Sequence, residues 1–275
     1  MILFMSIGRS MSIIPERFEE ICKNKKLLYF IHVPSTGGIY LKKNVFSNDE
    51  RFLWYGKYSG KKYDHHPCGL TNPVVYQGSR NHSKTYKFDP FFMSTESLSF
   101  STVRNPFDQY VSSYLITKEQ MPNLSFDDFI KITCDTEFSP SLDFGESFYL
   151  SRKFLFYQMF DDDGTCHADL VLRRERLNEG LEIIMSKIGM NANLEGSSDR
   201  PPSRWGDRRE KQGFSKERDY RKFYSDESRE AVEKKRNREI SAFGYTFEGD
   251  DGKTVIDPRN IRYRTDIDCL EVIKK

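Results

Sequence analysis

Apolar residues in this chain fall into two patterns: short unbroken runs, and sets spaced three and four apart. The runs are "LLYFIHV" (27–33), "SLSFSTV" (97–103) and "DLVLR" (169–173). Runs of this length predict strands buried on both faces, as in a parallel sheet. The helical spacing is clearest after Pro106, where Phe107, Tyr110, Val111, Tyr114 and Leu115 share one face and proline marks the helix start. Further amphipathic helices are predicted over "SFDDFIKIT" (125–133), "SFYLSRKFLFYQMF" (147–160) and "ERLNEGLEIIMSKIGM" (175–190), the last closing at Gly189. "PERFEEICKNKK" reads as a helix from Pro15, and "DESREAVEKKRNREISAFGY" (226–245) as a final charged helix.

Between these elements the pattern is lost. Residues 47–90, rich in Gly, Pro, Asn, His and Tyr, read as irregular loops with at most one helix. Residues 191–218 read as a long polar loop, and the tail after Gly249 as extended chain packing back on the body. There are no internal repeats. Strand, turn and helix in repetition predict an α/β fold with a mostly parallel sheet. The chain reads as a single domain over 1–275, with a lead-in at 1–26 and a C-terminal extension at 249–275.

Composition narrows the function only a little. The 275 residues hold 43 Lys+Arg against 41 Asp+Glu, a formal charge of +2, so no general hold on nucleic acid is expected. A local basic pocket for an acidic small molecule stays open. Aromatics at 14% argue for a packed chain. The cysteines Cys22, Cys68, Cys134, Cys166 and Cys269 are odd in number and without a Cys-x-x-Cys pair, which points to free thiols and a reducing compartment. The apolar start "MILFMSIGRSMSII" is interrupted at Gly8-Arg9-Ser10, lacks a basic lead, and falls short of the ~20 residues of a membrane span. A cytoplasmic protein that does not engage a membrane is expected, with its oligomeric state open.

Two segments carry candidate chemistry. "LYFIHVPSTGGIYL" (28–41) ends a strand in Pro-Ser-Thr-Gly-Gly and resumes as a helix. Backbone amides converging at such a turn suit an anion. The Walker pattern Gly-x-x-x-x-Gly-Lys-Ser/Thr is not present, so an ATP or GTP hydrolase is disfavoured. By itself the turn is unspecific, since any strand-to-helix turn favours Gly and Ser/Thr. "STVRNPFDQYVSSY" (101–114) sets Arg104 at a strand end beside a helix start, with Ser112 two turns on. Alone, Arg104 reads equally well as an ion-paired arginine and Ser112 as a packing residue.

Together the segments resemble the PAPS-dependent sulfotransferases, the carbohydrate type more than the aryl type. "FIHVPSTGGIYL" is similar to that family's 5′-phosphosulfate loop, near F-x-H-x-P-K-T-G-G-T-S-L. "TVRNPFDQYVSSY" is similar to its 3′-phosphate motif, near R-D-P-x-E-R-x-x-S-x-Y. "DLVLRRERLNEGLEIIMSKIGM" and "YSDESREAVEKKRNREISAFGYTF" resemble later family segments, so the likeness runs over roughly residues 27–247. The resemblance implies a three-layer P-loop-like fold and PAPS (3′-phosphoadenylyl sulfate) as donor, with PAP as product. It implies a 5′-phosphosulfate over Pro34, Ser35, Thr36, Gly37, Gly38 and Ile39, with Thr36 and the Gly37 and Gly38 amides on the 5′-phosphate. Arg104 and Ser112 would clamp the 3′-phosphate.

Three positions depart from the family pattern. Asn105 replaces an Asp, Gln109 replaces an Arg, and Ser35 stands where a lysine reaches the oxygen bridging phosphorus and sulfur. Preorganised charge stabilisation of that kind is worth roughly 3–4 kcal/mol. Lys42, Lys43, Lys61, Lys62 and Arg204 are candidate replacements. Ser35 donating a weaker bond, or a binder with little activity, are the alternatives.

Sulfuryl transfer needs the acceptor deprotonated as it attacks, and a histidine suits that task. Of His32, His65, His66, His82 and His167, the pair His65-His66 falls between the two cofactor motifs, in a context where the family carries its base. The pair is the candidate, with His66 slightly preferred, against two plain loop histidines. His32 reads as a core residue. A zinc site on His65, His66, Cys68 and His82 matches no familiar ligand spacing. "RPPSRWGDRREKQGFSKER" (200–218) reads either as a solvated charged loop or as a flap in which Arg204 touches the nucleotide and Trp205 the adenine or acceptor.

The leading expectation is a PAPS-dependent sulfotransferase acting on a hydroxyl or amine of a small polar metabolite or natural product. A saccharide acceptor is the runner-up. A non-catalytic PAP- or PAPS-binding relative and a P-loop nucleotide kinase are the competing classes.

Overall fold

The computed structural model describes residues 3–7, 10–25, 27–31, 33, 36–41, 52–55, 74–77, 97–134, 159–160, 164–189, 219–264 and 269–272. The chain opens with an antiparallel hairpin of β1 (Leu3–Ile7) and β2 (Ser10–Ile14), with Leu3 opposite Ile14. A plain lead-in was expected there. The two residues separating the strands, Gly8 and Arg9, are hairpin spacing with a glycine, a signal that a reading for signal peptides passes over. Helix α1 (Phe18–Cys22) starts a turn later than Pro15, whose carbonyl accepts from the Phe18 amide.

The central elements follow as β3 (Leu27–Ile31), the single turn α2 (Gly38–Tyr40), β4 (Phe52–Tyr55), β5 (Val74–Gln77), β6 (Ser97–Val103) and α3 (Pro106–Gln120). Strands β4 and β5 correct the expectation of loops over 47–90. "FLWY" and "VVYQ" hold four residues each amid turn formers, too few to set up a period. Then come α4 (Phe126–Cys134), β7 (Leu170–Arg173), α5 (Leu177–Lys187), α6 (Asp226–Ala242) and β8 (Val255–Ile256), with β9 (Ile261–Arg264) and β10 (Cys269–Val272) as a closing antiparallel hairpin. Of the helix expected over 147–160, only Met159 and Phe160 are among the described residues, and both are buried.

The main sheet runs β4-β5-β3-β6-β7-β8 and is parallel except for β8. All seven residues of β6 are buried, as a central parallel strand requires. Alternate residues of β3 enter different clusters. Leu28 and Phe30 pack with Phe18, Tyr40, Leu177 and Leu181, whereas Tyr29 and Ile31 pack with Phe107, Tyr110, Phe129 and Val232. Successive strand side chains point to opposite faces. Helical residues therefore cover both sides of the sheet, an arrangement compatible with a three-layer fold.

Helix α6 docks although its sequence is mostly charged. Its N-terminus is closed by a capping box between Ser225 and Ser228. Its buried face includes Val232, Arg236 and Glu239, with Arg236 donating to Glu239 at 2.8 Å and to the Tyr110 hydroxyl at 3.2 Å. Charge here is internal structure, which apolar periodicity does not register.

The amino edge of the sheet is fastened by polar contacts. The Ser99 amide donates to Asp169 at 2.8 Å, and Lys25 pairs with the same carboxylate. His167 belongs to this edge, its carbonyl accepting from Ser99 Oγ at 2.7 Å. No helix among the described residues is long and apolar enough to cross a membrane.

Candidate functional site

Because β3, β6 and β7 are parallel, the segments that follow them leave from one edge. Strand order also reverses there. From β3 the chain goes to β4 and β5 on one side, then to β6 and β7 on the other. Ligands of open α/β sheets bind at such a switch point, outside the carboxyl ends of the strands. The two sequence segments singled out above flank it.

The loop after β3 is held from inside. Thr36 is fully buried. Its hydroxyl donates to the Val33 carbonyl at 2.7 Å and lies 2.6 Å from the Thr102 hydroxyl of β6. The side chain expected on a 5′-phosphate thus faces inward and ties the loop to the sheet. Gly37 has φ of +112°, a left-handed conformation that favours glycine. A Cβ there would also lie 3.2 Å from Leu177 Cδ2 and 3.6 Å from Arg174 Cγ. Gly37 allows the loop to lie directly on the start of α5. Gly38 is buried, and Ile39 follows in the backbone of α2.

After β6, Asn105 caps α3 by accepting from the Phe107 amide at 3.0 Å, with Pro106 as the first helical residue. Arg104, Asp108 and Ser112 recur four apart and so line one face of the chain entering α3. Arg104 is 3% exposed and donates through Nε to Asp108 Oδ2 at 2.8 Å, with Nη2 2.6 Å from the same oxygen. Arg174, just beyond β7, brings Nη1 to 3.7 Å from that oxygen. Ser112 is buried two turns further on. The structure thus gathers Thr36, Gly37, Gly38 and Arg104 at one edge and adds Arg174.

A second layer supports this edge. Glu175 accepts from the Asn105 amide at 2.8 Å and from the Tyr245 hydroxyl at 3.0 Å. Burial pushes its carboxyl above the usual range, against the opposing effect of the Asn105 amide and Arg104. Tyr245 lies under the Arg173 guanidinium, 4.6 Å from ring to carbon. Arg173 in turn donates to the Phe243 carbonyl at 2.6 Å and pairs with Asp251. The segment Phe243-Gly244-Tyr245, with Gly244 at φ +64°, is thereby folded back onto β7. Asn105 Nδ2 completes the join by donating to the Thr246 carbonyl at 3.0 Å and the Gly249 carbonyl at 3.3 Å.

Sequence reasoning missed Asp108, Arg174 and Glu175. Asp108 had a signal, since it stands four residues after Arg104 at a helix start. Arg174 and Glu175 sat inside "RRER", where nothing local distinguishes one arginine from the next. Pro34, Ser35, His65, His66 and Arg204 lie outside the described residues. So do His32, His82, Cys68, Trp205 and the lysines Lys42, Lys43, Lys61 and Lys62. Comparison with protein-family models and with curated proteins finds no match for this chain.

Proposed function

We propose that the chain is a PAPS-dependent sulfotransferase of the three-layer P-loop-like type, moving a sulfuryl group from PAPS to a hydroxyl or amine of a small polar metabolite or natural product. One observation supports this most. The glycine loop after β3 and the arginine after β6 flank the switch point of a parallel sheet, with Arg104 buried at the start of α3. A donor anionic at both its 5′ and 3′ positions needs two such anion sites on either side of a nucleoside.

In this reading Pro34, Ser35, Thr36, Gly37, Gly38 and Ile39 form the 5′-phosphosulfate loop, with Thr36 acting through its backbone because its hydroxyl is engaged within. Arg104 and Ser112 take the 3′-phosphate, and Arg204 reaches it from the late basic loop. The acceptor oxygen attacks sulfur as His66 or His65 takes its proton. The bond from sulfur to the bridging oxygen breaks, and its electrons pass to the 5′-phosphate of PAP. The products are the sulfated acceptor and PAP, with one proton released.

Titration calorimetry with PAP against ADP tests the binding half, and tighter binding of PAP is expected. Transfer of radiolabelled sulfate from PAPS to an acceptor panel that includes saccharides tests the chemistry. Substituting the working histidine, His66→Ala or His65→Ala, lowers kcat by about 10²–10⁴-fold with PAP affinity unchanged. Equal affinity for PAP and ADP would overturn the assignment. Ser35 at the lysine position favours a second reading, a PAP- or PAPS-binding protein without activity. PAP binding with no transfer to any acceptor would establish it.

A further inference from the structure

With Ser35 at the usual lysine position, the reading above lacks a cation at the 5′-phosphosulfate. The sequence offers candidates outside the described residues. The structure offers another. Arg174 leaves β7 and runs its side chain along the glycine loop, so that a Cβ on Gly37 would meet its Cγ at 3.6 Å and its Cδ at 3.9 Å. The guanidinium then ends 3.7 Å from Asp108 Oδ2, on the helix that carries the 3′-phosphate residues.

We propose that Arg174 supplies the positive charge at the 5′-phosphosulfate, its guanidinium pairing with Asp108 until the arriving donor displaces that carboxylate. The proposal rests on the reading of this edge as a PAPS site.

Three features set Arg174 apart from Arg104. Arg104 contacts Asp108 Oδ2 at hydrogen-bond distance through two nitrogens, whereas Arg174 Nη1 lies 3.7 Å from that oxygen. The Arg174 side chain is 19% exposed against 4% for Arg104, so Arg174 is the one that solvent and an incoming ligand reach. Its stem passes beside Gly37, the glycine of the loop where any Cβ would touch it.

The chemistry suits an arginine. Its guanidinium stays charged at any working pH and presents a planar fork to two phosphate oxygens, which a flexible ammonium does not. When the sulfur–oxygen bond breaks, charge grows on the 5′-phosphate. A guanidinium already beside the loop stabilises that charge without reorganising. The lysine of the family pattern reaches this phosphate from within the loop. Here the charge comes from the turn after β7, which is separated from β3 by β6 in the sheet.

Affinities for PAP, 5′-AMP and 3′-AMP, measured on the wild-type chain and on R174Q, R174K and R104A, separate the two ends of the nucleotide. R174Q keeps the stem and removes the charge. It is expected to weaken PAP and 5′-AMP by about tenfold or more and to leave 3′-AMP within about twofold. R104A is expected to show the reverse, and R174K to recover part of the 5′-AMP affinity. Thermal unfolding of each variant confirms that the fold persists. If R174Q leaves PAP and 5′-AMP unchanged, or weakens 3′-AMP equally, the assignment of Arg174 is overturned while PAP binding by the wild type keeps the site reading intact. Should the wild type bind PAP no better than ADP, both fall together. An R174Q chain that does not fold, alongside an R174K chain that folds with wild-type stability but no gain for 5′-AMP over 3′-AMP, also overturns it.

Discussion

The hydroxyl oxygens of Thr36 and Thr102 lie 2.6 Å apart in the core, joining the loop after β3 to strand β6. The Thr36 proton goes to the Val33 carbonyl, so Thr102 is the donor within the pair. That assignment makes the two positions unequal. Thr102→Val removes a donor and leaves Thr36 still bonded, at a cost of about 1 kcal/mol. Thr36→Val strands the Thr102 proton in a dry site and takes a donor from Val33, at a cost of about 1–3 kcal/mol. Urea unfolding of both variants should rank Thr36→Val as the more destabilised. The reverse ranking would mean the proton runs the other way.

The long elements were legible in the sequence because each carries its own period or run. The strands 27–31, 97–103 and 170–173 and the helix after Pro106 fall where the apolar pattern and the proline put them, and the charged helix 226–242 falls within the segment read as helical. Strands β4 and β5 were not legible, since their short runs stand amid turn formers and their pairing in the sheet is what defines them. The site was half legible. Arg104, Gly37 and Gly38 stand in local motifs, whereas Arg174 joins them only because β7 lies beside β6. The hydroxyl partner of Thr36 was not legible for a similar reason: Thr102 is 66 residues away.

Asn105 is fixed by contacts that need its amide nitrogen. An aspartate could still cap α3, but it could not donate to the carbonyls of Thr246 and Gly249 as Asn105 Nδ2 does. Asn105→Asp should therefore destabilise the chain by about 1–3 kcal/mol at neutral pH, by setting an acceptor against two acceptors. Protonation restores one donor, so the deficit relative to wild type should shrink as pH falls. Paired urea titrations at neutral and mildly acidic pH would detect it. A deficit independent of pH would show that the donor contacts matter less than the shape of the amide.

Glu175 gives the wild-type chain a pH dependence of definite sign. Its folded carboxyl lies above the usual range, chiefly through burial, so the folded chain binds this proton more readily than the unfolded one. Its contribution to stability is full below the ordinary glutamate value, about 4.3. It is lost as pH rises from there through the raised folded value. Glu175→Gln removes that dependence. The difference in unfolding free energy between Glu175→Gln and wild type should move in favour of the variant as pH rises through this window, then level off. A difference that moves the opposite way would mean that the folded site favours the carboxylate.

Asp108 should affect stability and affinity in opposite directions. Its carboxylate satisfies the nearly buried Arg104 and stands 3.7 Å from Arg174. In the proposed PAP site an arriving nucleotide would compete with it for both arginines. Asp108→Asn takes an ionised acceptor from Arg104, which costs about 1.5–3 kcal/mol of folding free energy for a charge-assisted bond. The same change frees both guanidiniums from an internal anion, so PAP should bind several-fold more tightly. Salt dependence sharpens the test. With the competing carboxylate gone, more of the attraction falls on the ligand, and PAP affinity should decline more steeply as ionic strength rises. Unfolding in urea and calorimetry with PAP at two salt concentrations measure both effects on one protein preparation. If affinity falls together with stability, Asp108 is needed to aim Arg104 at the ligand and does not compete with it.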